Sequence, residues 1–131
     1  MNLRIGIDIG STTVKVVVLD EQNNLLFRSY ERHFSKVREK TCEILERIKD
    51  KLLGHQVRMV ITGSAGLGVS KASGIDFVQE VYATAAAVDT FIPGTDAVIE
   101  LGGEDAKIIF FGGALEERMN GSCAEIGRAS C

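Results

Sequence analysis

The sequence has one proline, three cysteines and no long apolar run, and each shortage excludes a class of protein. The longest apolar stretches, Val16–Leu19 and Tyr82–Val88, are far shorter than the ~20 residues of a transmembrane helix, so no membrane association is expected. An odd, sparse set of cysteines does not predict a disulfide framework and fits a reducing compartment. Met1–Arg4 leads directly into a strand pattern without the features of a secretory signal. We therefore expect a cytoplasmic protein.

The charge pattern also lacks an excess of one sign. Fifteen basic and eighteen acidic residues give a net charge of −3, and the basic residues are scattered, so no nucleic-acid partner is expected. Hydrophobic residues make up 45% and charged residues 25%, a composition typical of globular domains rather than disordered tails or coiled coils. The 131 residues correspond to one domain on size alone.

Hydrophobic periodicity predicts the element order β-β-β-α-β-(β)-α, followed by a second group of strands. The elements expected in the first part are Leu3–Ile7, Val14–Leu19, Leu25–Arg32, Val37–Leu52, Val57–Thr62, Ile75–Val78 and Glu80–Ile92. Ser35 is expected to cap the first helix, and Gly54 to end it. A strand meander followed by alternating helices and strands predicts an α/β fold with a mixed sheet flanked by helices.

Several residues outside these patterns have ordinary structural interpretations. Gly63–Gly68 is expected to be a glycine-rich connection, although contact with a nucleotide stays open. His33 and His55 lie in turn-like contexts and have no Cys or second His at ligand spacing, so both are expected at the solvated surface. Cys42 falls within the long helix and is expected to be partly buried.

The strand pattern restarts after residue 93 and repeats the beginning of the chain. Strands are expected at Ala97–Leu101, Ala106–Phe111 and Leu115–Met119. Residues 7–16 align with residues 99–108, with an isoleucine, a glycine and a lysine identical and an acid at the second position of each. The repeat predicts a first domain at residues 1–93 and the opening strands of a second, incomplete domain at residues 94–131.

Each repeat carries an acid at a strand end, a glycine turn and then a lysine, a pattern suited to phosphate and Mg²⁺. Backbone N–H groups of such a turn converge on an anion, and glycine lets a phosphate oxygen approach the chain. Carboxylates are ligands that Mg²⁺ accepts alongside water and substrate phosphates. The expected phosphate-binding residues are Gly10, Ser11, Thr12, Thr13, Lys15, Gly102, Gly103 and Lys107. The expected catalytic acids are Asp8, Glu104 and Asp105, of which Asp8 and Asp105 would bind Mg²⁺.

Other interpretations stay open on the residues alone. A glycine between two β-branched runs also fits an ordinary hairpin turn. Neither the G-x-x-x-x-G-K-[ST] nor the G-x-G-x-x-G pattern occurs, so the two commonest phosphate-binding folds are not indicated. Cys123 follows a strand where a helix could begin, a position that favours the thiolate form able to bind iron–sulfur clusters. Its chemistry alone still favours an inert cysteine.

Four segments carry a resemblance to a known family. Gly6–Lys15 resembles the first phosphate motif of the sugar kinase, heat-shock chaperone and actin superfamily. Gln79–Thr84, Ile99–Lys107 and Arg118–Ala124 are similar to one branch, the activator ATPases of 2-hydroxyacyl-CoA dehydratases and benzoyl-CoA reductases, also called CoA-substrate-specific enzyme activases. The similarity covers residues 3–124, and the last two segments are much more specific than the first.

The resemblance implies two ribonuclease-H-like domains with ATP between them, in a homodimer that shares one [4Fe-4S] cluster held by two cysteines of each subunit. It implies that ATP hydrolysis drives transfer of one electron to a partner CoA-substrate dehydratase or reductase. Asp8, Ser11, Thr12 and Lys15 match the first phosphate motif. Residues 102–105 match the second, with Asp105 near the Mg²⁺. Cys123 matches the first cluster cysteine, which on this resemblance replaces its inert interpretation.

The chain departs from the family pattern at its end. The family's second cluster cysteine lies well beyond this point, so Cys131 is not taken for it, and whether residues 125–131 are native stays open. Most of the adenosine pocket would be missing, so we expect a fragment that binds nucleotide weakly, has little or no ATPase activity and holds no cluster. An open apolar sheet edge at Ile108–Phe111 predicts dimerisation or strand exchange.

Two alternatives belong to the same superfamily. A small-molecule kinase of N-acetylhexosamine type would need a sugar-facing aspartate as base, and no clear one is present. An actin-like scaffold would form nucleotide-dependent polymers without iron.

Overall fold

A computed structural model describes residues 2–101, 106–112 and 114–120, with side-chain surroundings given for residues 2–101 and 108–111. The chain divides into two compact units, Met1–Glu80 and Val81–Cys131. The elements are β1 (Asn2–Ile9), β2 (Thr13–Leu19), β3 (Leu25–Arg32), α1 (Val37–Leu52), β4 (Gln56–Thr62), α2 (Gly66–Ser73), β5 (Asp76–Phe77), α3 (Glu80–Phe91), β6 (Ala97–Leu101), β7 (Ala106–Gly112) and β8 (Ala114–Asn120).

The first unit contains a five-stranded mixed sheet in the order β3-β2-β1-β4-β5. The first three strands form an antiparallel meander, whereas β4 and β5 run parallel to β1. A parallel pair needs a crossover connection, and α1 supplies the one from β3 to β4. The expected α/β fold with a mixed sheet and helices is therefore confirmed.

The core lies between α1 and one face of this sheet. Successive strand residues point to opposite faces, so the alternating isoleucines of β1 face the helix. The buried cluster consists of Leu3, Ile5, Ile7, Ile9, Val14, Val16, Val18, Ile44, Ile48 and Ile61. Asp8 alternates with these residues in β1 and so points to the other face. Strand alternation thus separates the apolar core from the polar candidate site.

An ion pair joins β3 to α1. Glu31 accepts two hydrogen bonds from Arg47, each 2.7 Å long, and a third from Ser29 Oγ. Lys40 Nζ lies 3.6 Å from the same carboxylate. The Arg47 hydrogen bonds, reinforced by Ser29 and the positive charges, lower the pKa of Glu31 to about 2. This pairing fixes α1 on the edge strand of the sheet.

The ends of α1 agree only in part with expectation. The residue before the helix is Lys36, which makes no side-chain cap hydrogen bond, so the expectation that Ser35 caps the helix is wrong. The backbone N–H of Ser35 donates to His33 Nδ1 instead. At the other end, Gly54 has a φ of 81°, a left-handed conformation that suits glycine after a helix.

The segment expected to be a glycine-rich connection contains the start of a helix, α2. Gly66, its first residue, is required by close packing, because a Cβ there would lie 2.7 Å from Ile61 Cγ2. The helix ends at Gly74, whose φ is 75°. The following strand, β5, contains only Asp76 and Phe77, and is shorter than expected.

The second unit contains a three-stranded antiparallel sheet in the order β6-β7-β8. The strand β7 is paired on both sides, so the expected open edge at Ile108–Phe111 is wrong. Cross-strand pairing puts Ile99 and Ile108 on the same face as Ala97 and Phe110.

Within the part of the chain that the structure describes, no helix has the length and apolar character needed to cross a bilayer.

Candidate phosphate-binding site

The turn between β1 and β2 is tight and presents hydroxyl groups to solvent. The backbone N–H of Gly10 donates to the carbonyl oxygen of Thr13 over 2.9 Å, which closes the turn. Ser11 and Thr12 at its tip are exposed, whereas Thr13 is buried. A Cβ on Gly10 would meet neighbouring atoms at no less than 3.7 Å, an ordinary contact distance. The protein's own packing therefore does not require glycine here.

A row of polar side chains crosses the sheet beside this turn. Strand register pairs Asp8 with Lys15 on one side and with Thr62 on the other, and pairs Lys15 with Tyr30. Lys15 Nζ lies 3.3 Å from Asp8 Oδ2, and both side chains are about one-third exposed, at 33% and 34%. The same Nζ lies 5.5 Å from the centre of the Tyr30 ring. The structure therefore brings together the acid and the lysine of the first motif.

Two oxygens in this row are buried without a hydrogen-bond partner, Asp8 Oδ1 and Thr62 Oγ1. An unsatisfied buried acceptor is costly, and such groups in native proteins usually have a water or an ion as partner. A carboxylate oxygen with free lone pairs fits Mg²⁺, which takes one or two carboxylates and fills its other positions with water and phosphate oxygens. Among the described residues, no three His, Cys, Asp or Glu side chains cluster as metal ligands. Asp8 alone therefore suits a cation held mostly by water and substrate.

Gly63 closes over the buried side of Asp8. Its φ is 102°, and a Cβ there would lie 2.2 Å from the Ile9 carbonyl oxygen and 2.6 Å from Asp8 Oδ1. The N–H of Ala65 donates to the same Ile9 carbonyl over 2.9 Å. The glycine-rich connection thus packs against the end of β1 and helps to bury Asp8 Oδ1.

His33 lies behind the turn and not at the solvated surface, so the surface expectation for it is wrong. Its side chain is 5% exposed. Nε2 lies 2.9 Å from the Gly10 carbonyl oxygen, and the backbone N–H donates to the Thr12 carbonyl over 3.0 Å.

His55 is exposed, as expected. Cys42 is also exposed, contrary to the expectation of partial burial.

The second motif falls largely outside the described residues. Gly102, Gly103, Glu104, Asp105 and Cys123 lie there, and of Lys107 only the backbone is described. Their proposed roles stay predictions.

The described strands beside the second motif repeat the first hairpin's register. Glu100 pairs with Lys107 as Asp8 pairs with Lys15, and Leu101 pairs with Ala106 as Ile9 pairs with Val14. In each hairpin four residues therefore separate these last paired positions, which supports the repeat seen in the sequence.

Comparison of the sequence with known proteins identifies its family. The model of the BadF/BadG/BcrA/BcrD ATPase family matches residues 5–129. The chain belongs to this family. A 2-hydroxyisocaproyl-CoA dehydratase activator of Clostridioides difficile is 30% identical over 132 residues, which cover 91% of this chain and 46% of the activator. The resemblance inferred from the four motif segments is confirmed.

Two solved structures share the fold of this family member. Component A of the (R)-2-hydroxyglutaryl-CoA dehydratase of Acidaminococcus fermentans superposes with a TM-score of 0.76 at 23% identity, over 95% of this chain and 49% of that one. The activator of the 2-hydroxyisocaproyl-CoA dehydratase from Clostridium difficile, with bound ADPNP, gives 0.76 at 28% identity, over 93% and 47%. The actin-like ATPase fold is thus confirmed, and the chain spans about half the length of these relatives.

Proposed function

We propose that this chain is the phosphate-binding part of an ATP-dependent activator that passes an electron through a [4Fe-4S] cluster to a 2-hydroxyacyl-CoA dehydratase or related CoA-substrate enzyme. The observation that carries the proposal is the Asp8–Lys15 pair beside an exposed hydroxyl turn. It occurs in a chain that belongs to an ATPase family and is 30% identical to a dehydratase activator. The bound ADPNP of the solved activator supports a nucleotide ligand.

In this proposal the first turn holds the phosphates of ATP. The backbone N–H groups of the turn and the hydroxyls of Ser11 and Thr12 donate to phosphate oxygens. Asp8 would hold the Mg²⁺, and Lys15, whose Nζ lies 3.3 Å from Asp8 Oδ2, would add a positive charge at the same place. Mg²⁺, when bound, neutralises charge on the β- and γ-phosphates. The chain's own residues orient the nucleotide.

The second turn is proposed as a second phosphate-binding loop. Gly102 and Gly103 would contact phosphate, Lys107 would offset its charge, and Glu104 and Asp105 would act as the acids near Mg²⁺. The identical register of the two hairpins supports this assignment. We likewise propose residues 1–93 and 94–131 as the two domain parts.

A nucleotide titration tests the first turn directly. The chain titrated with Mg-ADP is expected to show Mg²⁺-dependent NMR shift changes at Ser11, Thr12 and Lys15, with weak affinity because these 131 residues span about half of the relatives' length. Micromolar affinity in calorimetry would contradict the expected weakness. Shift changes elsewhere, with the turn unaffected, would overturn the assignment of the turn.

Iron analysis tests the electron-transfer role. A protein of the relatives' full length carrying this sequence, purified without oxygen, is expected to be brown, oxygen-sensitive and dimeric with one cluster per dimer. Cys123→Ser should abolish the colour, whereas the exposed Cys42 offers a matched control, since Cys42→Ser should retain it. A colourless protein that phosphorylates a sugar would favour the kinase alternative instead.

A further inference from the structure

We propose that His33 is a positioning residue for the phosphate-binding turn and that its ring acts as a single neutral tautomer. This proposal rests on the proposed function, because that function gives the turn its phosphate-binding role. His33 lies in none of the segments that resemble the family motifs, and its hydrogen bonds to the turn go to backbone oxygens, those of Gly10 and Thr12. It therefore acts on the ligand through the turn.

Hydrogen bonds from His33 hold two carbonyl groups of the turn. The ring binds the carbonyl of Gly10 at 2.9 Å, and the backbone N–H binds the carbonyl of Thr12 at 3.0 Å. The turn has one further backbone bond of its own, from Gly10 N–H to Thr13 O. Because His33 as a whole residue is only 5% exposed, water competes little for these bonds.

The hydrogen-bond partners of the ring determine its tautomer. The backbone N–H of Ser35 lies 3.0 Å from Nδ1 and can only donate, so Nδ1 must carry the lone pair. The proton of the neutral ring is then on Nε2, where it donates to the Gly10 carbonyl. Both ring nitrogens are thereby satisfied, and the ring orientation is fixed from both sides.

The segment that follows His33 is shaped to make this contact. Phe34 and Ser35 have φ values of 50° and 62°, a left-handed conformation that residues other than glycine rarely adopt, here twice in succession. The carbonyl of His33 accepts a hydrogen bond of 2.8 Å from the N–H of Lys36. The backbone of these two residues turns so that the Ser35 N–H faces the imidazole ring of His33. Backbone strain of this kind is retained where the surrounding structure demands it.

Holding the carbonyls sets the direction of the donors. In a trans peptide the C=O and the following N–H point in opposite directions, and no described peptide bond is cis. With the Gly10 carbonyl held toward His33, the N–H of Ser11 points away from the imidazole. The same argument applies to the Thr12 carbonyl and the N–H of Thr13. His33 thus presets the orientation of N–H groups in a turn proposed to receive a phosphate.

The test compares two replacements at this position with a matched control. His33→Leu retains apolar volume and removes both ring hydrogen bonds. His33→Gln provides an amide NH₂ that can still reach the Gly10 carbonyl. His55→Leu changes the other, exposed histidine and serves as control. Hydrogen exchange, nitrogen NMR of the ring and titration with Mg-ADP are measured on the full chain.

The ligand-free measurements decide the positioning role. In the wild type the ring spectrum should show a proton on Nε2 and none on Nδ1. In His33→Leu the Gly10 amide should exchange about tenfold faster, with amides of the β1–β4 pairing unchanged. A proton on Nδ1, or exchange that rises equally throughout the sheet, would overturn the proposal. If His33→Leu does not fold, the ring spectrum and the glutamine variant still decide the matter.

The nucleotide measurements separate this proposal from the proposed function. His33→Leu should weaken Mg-ADP binding about tenfold, and His33→Gln should recover most of that loss at equal stability. Equal loss in both variants would indicate a merely structural residue and overturn the proposal. If the wild type binds no nucleotide while the ligand-free results hold, the positioning role stands and the proposed function fails.

Discussion

At the scale of single residues, Asp8 pairs one carboxylate oxygen with Lys15 and buries the other without a partner. We predict that Asp8→Asn changes the free energy of unfolding by less than about 1 kcal/mol, because a partly exposed ion pair contributes little and the buried charge is removed. Mg²⁺-dependent binding of ADP should fall at least about tenfold, since the cation loses its carboxylate. Urea denaturation and NMR titration measure the two effects.

A second carboxylate provides the control for this prediction. Asp50 is exposed near the end of α1, and Asp50→Asn should leave ADP binding unchanged. A strongly destabilised Asp8→Asn variant with unaltered ADP affinity would show that Asp8 is structural.

Gly63 gives a residue-scale prediction about backbone conformation. Gly63→Ala should destabilise the protein by about 2–4 kcal/mol, because the added Cβ would overlap the Ile9 carbonyl and Asp8 Oδ1 at a positive φ. Gly74 is the matched control: its φ is 75° and nothing lies within 4 Å of an added Cβ, so Gly74→Ala should cost about 1 kcal/mol. Thermal melts followed by circular dichroism compare them, and equal losses would refute the steric argument.

The residues of the first turn could be predicted from the sequence, whereas His33 could not. Asp8, Gly10 and Lys15 lie within one strand–turn–strand pattern, so local periodicity places them together. The burial of His33 depends on a hydrogen bond to a backbone oxygen 23 positions away. Every residue has a backbone carbonyl, so the sequence does not indicate which carbonyl accepts a hydrogen bond. A histidine that follows a strand is therefore as compatible with an exposed position as with a buried one.

At the scale of elements, the link between β3 and α1 should depend on pH. The pKa of Glu31 is about 2 in the folded protein, below its ordinary value of 4.5. The stabilisation is therefore complete above about pH 4.5 and is lost as the pH falls toward 2. Because Glu31 and Arg47 are partly exposed, we expect about 1 kcal/mol from this pair. Urea denaturation across this pH range should show a smaller pH dependence for Glu31→Gln than for the wild type.

Glu46 is the control for the β3–α1 pair, because it forms only an exposed ion pair with Lys49 within α1. Glu46→Gln should follow the wild-type pH dependence. If Glu31→Gln and the wild type lose stability in parallel on acidification, the pair contributes nothing to the attachment of α1.

The strands and the long helix were predictable, but α2 was not. Strand alternation in β1 and helical spacing in α1 are carried by large aliphatic residues, whose burial dominates the fold. In α2, Gly66 and Gly68 lower helix propensity and resemble a loop. Gly66 lets the helix pack closely on Ile61 of β4 and Phe77 of β5, the two strands that flank it in the chain. Tertiary packing here overrides local preference.

At the scale of the whole molecule, the sheet of the second unit should drive self-association through its exposed apolar face. Ile99, Leu101 and Phe110 are 58%, 69% and 40% exposed, and cross-strand pairing places them on one side of the sheet. Contiguous exposed apolar surface of this kind commonly marks an association site. We therefore expect the 131-residue chain to form dimers or larger species as its concentration rises.

The double variant Ile99→Thr with Phe110→Thr tests this association while retaining residues that favour strands. It should shift sedimentation velocity profiles toward the monomer at concentrations where the wild type associates. Leu53 is more exposed, at 72%, but follows α1 in the first unit, so Leu53→Gln should leave association unchanged. A wild-type chain that stays monomeric at all concentrations would refute the prediction. Association abolished by Leu53→Gln instead would move the contact to the first unit, since the two substitutions sample different units.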